Sequence, residues 1–385
     1  MSQYIFILVW IAAMFFLKSV MSGGYRVENI LGKKEYRVSW GFAAFAFCPV
    51  VIMATFRGDM GDSYAYKTMF RNLPNTISGL LNYIPSVTKD KGFSALSGII
   101  KCIFGSNDVV YFCVLASIQA IILVTIYRKY STNYLLSIFL FIASTDYLSW
   151  MFNGVRQFAA VTIIFASTKF MLEKKWVPTI LMILLASTMH QSALVMIPIV
   201  IIVQGKAWNK RTILFLSAAL VAVTFVNQFT SILDNMMQET QYANMVNDWT
   251  LWGDDGTNVF RVLVYSVPTI LSLIGLKYIH YENDPVINFC ANMSIVSTGL
   301  YIISMFTSGI FIGRLPIYAS LYNYILLPWE IDHMFTKKSS KIMGLFMVVA
   351  YLAFYWYQVV ITSFNEYERS IFREPLKRII KRIKG

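Results

Sequence analysis

Long apolar runs set the strongest constraint on how this chain can fold. Most of them last for roughly 20 residues with few charges, which is the length that crosses a bilayer core at the rise of an α-helix. Hydrophobic residues make up 57% of the 385 residues and charged residues only 14%, far from the balance of an ordinary soluble domain. The sequence therefore predicts an all-α polytopic membrane protein.

The runs predict about twelve transmembrane helices in a single membrane domain over residues 1–385. One run is short, so the pair around His190 could instead form a re-entrant hairpin. Two long outer loops, 57–107 and 234–258, and a basic C-terminal tail, 363–385, complete the domain. The expected spans lie near residues 3–21, 38–56, 108–127, 133–151, 154–172, 176–190, 191–204, 212–233, 259–279, 286–306, 315–334 and 342–362.

Two features that would change this interpretation are missing from the sequence pattern. The first run is too long for a secretory signal peptide, lacks a basic n-region and has no convincing small-residue cleavage site. The four cysteines are scattered and mostly inside expected spans, which argues against a disulfide framework or a metal knuckle. They are Cys48, Cys102, Cys113 and Cys290.

Lysine and arginine collect in alternate short loops, and this asymmetry predicts the orientation. The basic loops share one side if the N-terminus is outside, so that side should be cytoplasmic. The tail disagrees: twelve spans would leave it outside, so either one span is miscounted or the tail is an amphipathic helix on a membrane surface. The net charge of +13 thus reflects topology and anionic lipid rather than nucleic acid, because the basic residues form no single stripe.

Four arginines lie at ends of apolar runs, all at the expected outer face. A charge at the edge of hydrocarbon is costly unless it is paired or faces a polar cavity. Four converging guanidinium groups suggest a site for a strongly anionic group such as a lipid-linked diphosphate, since the guanidinium fork can grip two phosphate oxygens. They are Arg57, Arg156, Arg261 and Arg314.

Polar and aromatic residues accompany these arginines at helical spacing. Asn153, Arg156 and Gln157 would share one helical face, and snorkelling of an arginine to the interface would not explain the aligned amides. Tyr265 follows Arg261 by four residues, and Tyr318 and Tyr322 continue the face below Arg314. We interpret these side chains as substrate contacts, although tyrosine and arginine also populate membrane interfaces for unspecific reasons.

His190 is the first candidate for a catalytic base, and Asp62 is the second. Histidine titrates near neutrality and can take a proton from a hydroxyl, whereas a lone buried histidine is more often a structural hydrogen-bonding residue. His280 and His333 fall at the expected inner face, which makes both poor candidates.

The second outer loop carries Trp249 and Trp252 among acidic residues. Indole faces stack on pyranose rings, so these tryptophans are candidate sugar contacts, with ordinary interfacial tryptophans as the alternative. Asp254 and Asp255 could bind a metal, but no neighbouring ligand completes a recognisable set. The sequence therefore predicts no metal and no cofactor.

Taken in order, these motifs resemble the EpsG-like branch of the Wzy polysaccharide polymerases. The matching residues are Arg57, Gly58, Asp59, Gly61, Asp62 and Tyr66; Asn153, Arg156, Gln157 and Ala160; His190, Ser192 and Ala193; and Arg314, Tyr318 and Leu326-Leu327-Pro328. The resemblance implies a metal-independent membrane glycosyltransferase, similar to the C type, in the bacterial inner membrane with its active face towards the periplasm or cell exterior.

The resemblance also implies the substrate and the reaction. Repeat units of O-antigen or exopolysaccharide carried on undecaprenyl diphosphate would be joined by attack of a sugar hydroxyl of one on the anomeric carbon of another. A chain-length regulator protein is a further candidate partner, and nucleic acid is not. A flippase or exporter of lipid-linked oligosaccharide and a polysaccharide ligase stay open, because both would need the same cationic face.

Overall fold

The computed structural model describes residues 2–21, 25–226, 232 and 256–362. Helices dominate these residues, as the apolar runs predict, and one β-hairpin is the exception that the sequence analysis did not anticipate. Most of the second outer loop, including Trp249, Trp252, Asp254 and Asp255, lies outside the described residues, as does the basic tail.

The first half of the chain contains the hairpin and the helices that surround it. Its elements are α1 Ser2–Val20, β1 Tyr25–Ile30, β2 Lys33–Val38, α2 Trp40–Thr55, α3 Ser63–Asn72, α4 Ile77–Tyr83, α5 Lys91–Phe104, α6 Asp108–Tyr130, α7 Tyr134–Ala143, a π-helix Tyr147–Asn153, α8 Val155–Ala166 and α9 Thr168–Leu172.

The second half is helical throughout its described residues. Its elements are α10 Trp176–Met189, a 3₁₀-helix Gln191–Val195, α11 Met196–Ile202, α12 Lys210–Thr224, α13 Val259–Ile274, α14 Leu276–Glu282, α15 Pro285–Met305, a 3₁₀-turn Ile312–Arg314, α16 Ile317–Ser320, α17 Asn323–His333, α18 Lys337–Trp356 and a second π-helix Tyr357–Thr362.

Fewer helices are long and apolar enough to span a membrane than the sequence pattern predicts. Among the described residues, four helices are long and apolar enough to cross a membrane, or up to six if each of two bent pairs counts as one span. Several expected spans are instead shorter apolar helices, including Trp176–Met189 and Gln191–Ile202 on either side of His190. The twelve-span count and the re-entrant hairpin therefore stay predictions, whereas the helical membrane class is confirmed.

The β-hairpin packs against the ends of several helices at one end of the bundle. Its strands are antiparallel, and the turn between them passes through Leu31 and Gly32, both at positive φ. Arg128 at the end of α6 forms an ion pair with Glu28 of β1, and Lys33 of β2 forms another with Asp284 at 3.1 Å. These contacts place the hairpin beside the loop before α15.

The loop between α11 and α12 lies at the same end and is held by two asparagines of α15. Asn288 Oδ1 accepts a hydrogen bond from the backbone N–H of Ala207 at 2.8 Å. Asn292 Oδ1 accepts from the backbone N–H of Trp208 at 3.0 Å, while its Nδ2 donates to the carbonyl of Val203 at 3.0 Å. Buried amides that satisfy loop backbone groups let the chain turn back inside a packed bundle.

Helices α3, α4 and α5 cover the opposite end of the bundle. Phe70 of α3 stacks on Tyr111 of α6 with ring centroids 4.1 Å apart. Lys101 of α5 donates to the carbonyl of Leu73 at 2.5 Å, and Arg71 forms an ion pair with Asp108. The segment expected to form the first outer loop, 57–107, therefore contains three helices that form a cap.

This arrangement makes a prediction about sidedness. In a background in which the four native cysteines are replaced, a cysteine at the exposed position Asn72 should react with an impermeant thiol reagent in intact cells. A cysteine at the exposed position Lys338 should react only after the cells are opened. The opposite result would reverse the orientation and place the candidate site on the cytoplasmic side.

Candidate active site

A cavity of about 190 Å³ at the capped end of the bundle brings together residues from four separate segments. Those segments are the loop before α5, the start of α8, the turn after α10 and the loop between α15 and α16. The cavity is lined by Lys89, Asp90, Arg156, Gln157, His190, Ser192, Ile310, Phe311, Arg314 and Leu315. Four of the sequence-predicted site residues therefore share one cavity: Arg156, Gln157, His190 and Arg314.

Arg156 enters the cavity from the first turn of α8. A π-helix precedes it, and Gly154 is the single residue between that π-helix and α8. Its Nη1 donates to Oδ2 of Asp90 at 2.9 Å, and its backbone N–H donates to the hydroxyl of Tyr66 at 3.4 Å. The guanidinium is thus paired with a carboxylate, while 43% of its side chain stays exposed.

His190 occupies the turn between α10 and the 3₁₀-helix that follows. Its Nδ1 lies 2.7 Å from Oγ of Ser192, and that oxygen lies 2.9 Å from the hydroxyl of Tyr318. Tyr318 is fully buried in α16. A histidine, a serine and a tyrosine therefore form one hydrogen-bonded chain that fixes the orientation of the imidazole at the cavity wall.

Arg314 reaches the cavity from the 3₁₀-turn that precedes α16. Gln157 holds this turn, because its Nε2 donates to the carbonyl of Arg314 at 2.8 Å. The same glutamine is a neighbour of Arg156 on α8. One buried amide thus ties the two arginine-bearing segments to each other.

The electrostatics of the cavity favour an anionic ligand. Among the described residues that line the cavity, Lys89, Arg156 and Arg314 are basic and Asp90 is acidic. The positive charges of Arg156 and Arg314 share the cavity with His190 and favour a neutral imidazole, the form that a proton acceptor must have.

Asp62 and Tyr66 hold the cap onto the π-helix rather than lining the cavity. The backbone N–H of Asp62 donates to Oδ1 of Asn153 at 3.3 Å, and the Tyr66 hydroxyl donates to the Asn153 carbonyl at 3.3 Å. Gly61 makes this approach possible: it has φ +58°, and a Cβ there would lie 1.6 Å from Asn153 Oδ1. The Asp62 side chain is exposed, outside the set of cavity-lining residues.

Arg57 lies buried beneath the cap. Its Nε donates to the carbonyl of Ala54 at 2.7 Å and its Nη1 to the carbonyl of Met151 at 2.7 Å. The guanidinium also lies 4.1 Å from the ring centroid of Phe112 and 4.8 Å from that of Phe152. Phosphate binding at Arg57 stays a prediction, and it would require these contacts to break.

Arg261 and Tyr265 belong to a second buried cluster, around Asp146. Arg261 Nη2 donates to Oγ of Ser149 at 3.0 Å, and the hydroxyl of Tyr265 donates to Oδ1 of Asp146. Neither residue lines the cavity.

Tyr322, the last of the predicted tyrosine contacts, is also placed elsewhere. Its hydroxyl lies 2.8 Å from Oγ1 of Thr168 on α9, and its ring packs edge-on against Phe165 and Phe289. Substrate contact by Tyr322 stays a prediction.

His280 and His333 bond to backbone carbonyls away from the cavity. His280 Nε2 lies 3.0 Å from the carbonyl of Ala207 beside the hairpin end, and His333 Nδ1 lies 3.0 Å from that of Trp329. Among the described residues, no group of three or more His, Cys, Asp or Glu side chains is placed to hold a metal ion.

Sequence reasoning missed two charged residues of the cavity, Lys89 and Asp90. They stand in a run of three alternating charges, Lys89-Asp90-Lys91, which is typical of a solvated turn. The signal that could have singled out Asp90 is structural, because only the fold shows that its side chain is 6% exposed.

Comparison with known proteins now bears on the whole chain. The EpsG family matches residues 41–369. This protein belongs to the EpsG family. That family comprises Wzy-like polysaccharide polymerases, so the resemblance inferred from the ordered motifs is confirmed, and with it a role as a membrane polysaccharide polymerase of the glycosyltransferase kind. No curated protein and no solved structure matches the chain.

The surroundings of Arg57 predict a structural effect of its loss. Arg57→Met should lower the apparent melting temperature in detergent strongly, because each hydrogen bond from a charged donor contributes about 1.5–3 kcal/mol. Arg71→Met is the matched control: its ion pair with Asp108 is 62% exposed on the arginine side, so its loss should lower the melting temperature much less than the loss of Arg57. If Arg57→Met keeps normal stability yet loses diphosphate binding, Arg57 contacts the ligand directly.

Proposed function

We propose that this EpsG-family protein polymerises oligosaccharide repeat units of O-antigen or exopolysaccharide that are carried on undecaprenyl diphosphate. One lipid diphosphate donates the growing chain, and a sugar hydroxyl of a second lipid-linked unit attacks its anomeric carbon. A new glycosidic C–O bond forms as the bond from the anomeric carbon to the diphosphate oxygen breaks.

The observation that supports this proposal most strongly is the convergence of Arg156, Arg314 and His190 on one cavity. These residues are far apart in sequence, and two of them supply the cations that a departing diphosphate needs. The third is the histidine that could receive the proton of the attacking hydroxyl. Family membership supports the same reaction class.

In this proposal the arginines bind the leaving group. The diphosphate gains negative charge as the glycosidic bond to it breaks, so fixed cations stabilise the transition state more than the ground state. Arg156 stands in the first turn of α8, so the positive end of that helix dipole adds to the effect of its guanidinium. Arg314, fixed through Gln157, supplies the second guanidinium.

His190 acts as the general base in this scheme. We assign proton acceptance to Nε2, since Nδ1 is held by Ser192 Oγ. With the proton on Nδ1, the imidazole donates to Ser192, and Ser192 in turn donates to Tyr318. The positive charges of Arg156 and Arg314 make His190 a weaker base while the cavity is empty. An incoming diphosphate would offset these charges and make His190 a stronger base.

The remaining parts of the proposal follow from the same site. The cavity faces the periplasm or cell exterior of the bacterial inner membrane, and the isoprenoid chains stay in the bilayer. The arginines replace a metal ion, as in glycosyltransferases of the C type. A chain-length regulator is a candidate partner.

Reconstitution separates this function from its alternatives. Purified protein in vesicles is given lipid-linked repeat units of its own host, and the products are resolved as a ladder of chain lengths. A ladder made without other proteins supports the polymerase. Movement of the lipid-linked sugar across the bilayer without chain growth would favour a flippase, and transfer only to a different acceptor would favour a ligase.

The arginines give a prediction that depends on shape rather than charge. Arg156→Lys and Arg314→Lys keep the positive charge but lose the planar fork that can grip two phosphate oxygens. Each should reduce polymerisation by about 10²-fold or more, as the loss of a transition-state donor does elsewhere, at unchanged protein abundance. Arg71→Lys, in an exposed ion pair outside the cavity, should keep full activity. Full activity of Arg156→Lys would make Arg156 an interfacial anchor.

The base gives a separate prediction. His190→Gln keeps a hydrogen-bonding side chain but cannot titrate, so chain growth should fall by about 10²–10⁴-fold while binding of undecaprenyl diphosphate persists. His280→Gln, which alters a histidine bonded to a carbonyl beside the hairpin, is the matched control and should make normal polymer. Long polymer from His190→Gln would assign His190 a structural role and make Asp62 the next residue to test.

A further inference from the structure

We propose that Asp90 competes with the substrate for Arg156. Its carboxylate forms an ion pair with the guanidinium while the cavity is empty, and this pair breaks when the substrate diphosphate binds. The pair forms again when the lipid diphosphate leaves. This rests on the proposed function for the identity of the ligand. The role differs from that of a base or a fixed orienting group, because it requires Asp90 and the diphosphate to compete for the same donors.

The ion pair itself is the first observation. Asp90 Oδ2 lies 2.9 Å from Arg156 Nη1, a distance typical of charge-assisted hydrogen bonds. The exposure of the two partners is unequal, since the Asp90 side chain is 6% exposed and that of Arg156 is 43% exposed. The carboxylate is therefore the desolvated partner, and the guanidinium presents the rest of its surface to the cavity.

The carboxylate is incompletely satisfied where it lies. Its Oδ1 is buried and forms no hydrogen bond of normal geometry with any residue in the described part of the chain. Burial raises the pKa of Asp90, and the charge of Arg156 and the nearby backbone N–H of Gln191 offset only part of this effect. A buried carboxylate oxygen without a partner is costly, so Asp90 gains less from its resting position than a fully hydrogen-bonded carboxylate would.

The backbone at Asp90 points the same way. Its φ is +54°, in the left-handed region, which aspartate adopts more readily than most residues other than glycine. Asp90 stands directly before α5 and does not cap that helix with its side chain. Its carboxylate is therefore left available to Arg156.

The position of Asp90 beside the cavity comes from the packing of α5 on α10. Gly92 in the first turn of α5 lies so close to Thr188 that a Cβ would come within 2.1 Å of the threonine Oγ1. Thr188 stands two residues before His190 on the chain. The contact brings the start of α5, and Asp90 with it, against the part of α10 that carries the proposed base.

The consequence for polymerisation concerns product release. Two arginines and a lysine around a diphosphate would also bind the released lipid diphosphate tightly, because it carries the same charged group as the leaving group in the reaction. A carboxylate that returns to Arg156 lowers the positive charge available to the product and so favours its departure. Catalysis needs both states, the guanidinium on the diphosphate during transfer and on Asp90 afterwards.

The experiment measures binding and turnover of Asp90→Asn, which removes the negative charge and keeps the side-chain volume. Undecaprenyl diphosphate and inorganic pyrophosphate are the probes, with the protein in phosphatidylcholine nanodiscs. Asp108→Asn is the matched control, because Asp108 forms an ion pair with Arg71 on the same cap and does not line the cavity. Thermal unfolding is followed for each variant, and Asp90→Ser replaces Asp90→Asn if the latter does not fold.

We expect Asp90→Asn to bind both probes about three- to tenfold more tightly, since it removes a competing charge from the arginine. Its steady-state turnover should fall relative to its single-turnover rate, because release becomes slow. Asp108→Asn should change neither quantity. Loss of any nearby negative charge would tighten anion binding, so the fall in turnover relative to the single-turnover rate is the result that distinguishes exchange at Arg156 from a fixed role of Asp90.

Two results would overturn the proposal, and they are distinguishable. If the unmodified protein binds the probes and Asp90→Asn binds them equally or more weakly, Asp90 is an orienting or structural residue and the proposed function stands. If the unmodified protein binds neither probe and Arg156→Met still polymerises normally, the diphosphate site itself is misplaced and both proposals fail.

Discussion

The arrangement of this site depends on the hydrogen bonds that two tyrosines donate to the buried carboxylate of Asp146. It lies where α7 ends and the π-helix begins, at a bend of 72°. The hydroxyl of Tyr324 donates to its Oδ2 at 2.6 Å, and the hydroxyl of Tyr265 donates to its Oδ1. A break in a helix inside a membrane bundle is tolerated only where its polar groups find partners within the protein. Two tyrosines from two other helices meet that requirement here.

The π-helix that follows the bend carries this constraint to the cavity. Along it, Ser149 receives a hydrogen bond from Arg261, and the carbonyl of Met151 receives one from Arg57. Both arginines thereby fix the segment whose last residue, Asn153, holds the cap. Arg156 lies three residues later, in the first turn of the next helix. Arg57 and Arg261, two of the four arginines expected at the outer face, thus help to position the segment that leads to Arg156.

The sequence predicted the helical class, the family and much of the cavity, because those depend on patterns that are local in the chain. Gln157 and Arg156 do lie side by side at the cavity, but Asn153 belongs to the preceding π-helix, since the helical spacing assumed an unbroken α-helix. The hairpin escaped notice because its strands alternate over only a few residues. Asp90 could not be distinguished from a solvated turn, since its burial depends on how α5 packs against α10, and that is a property of the tertiary structure alone.

The inventory of charges at the cavity suggests why a carboxylate belongs there. Three cations at a membrane surface would attract any phospholipid headgroup, because phosphate monoanions are abundant there and a guanidinium group forms charge-assisted hydrogen bonds with them. A carboxylate paired with Arg156 weakens the binding of every anion at this site, since a ligand must displace that carboxylate before it can bind Arg156. A diphosphate carries more charge than a phosphodiester and can engage Arg156 and Arg314 together, so it displaces the carboxylate where a single headgroup phosphate does not. On this argument Asp90 contributes selectivity between lipid-linked substrate and bulk lipid by the same electrostatics that would let it release product.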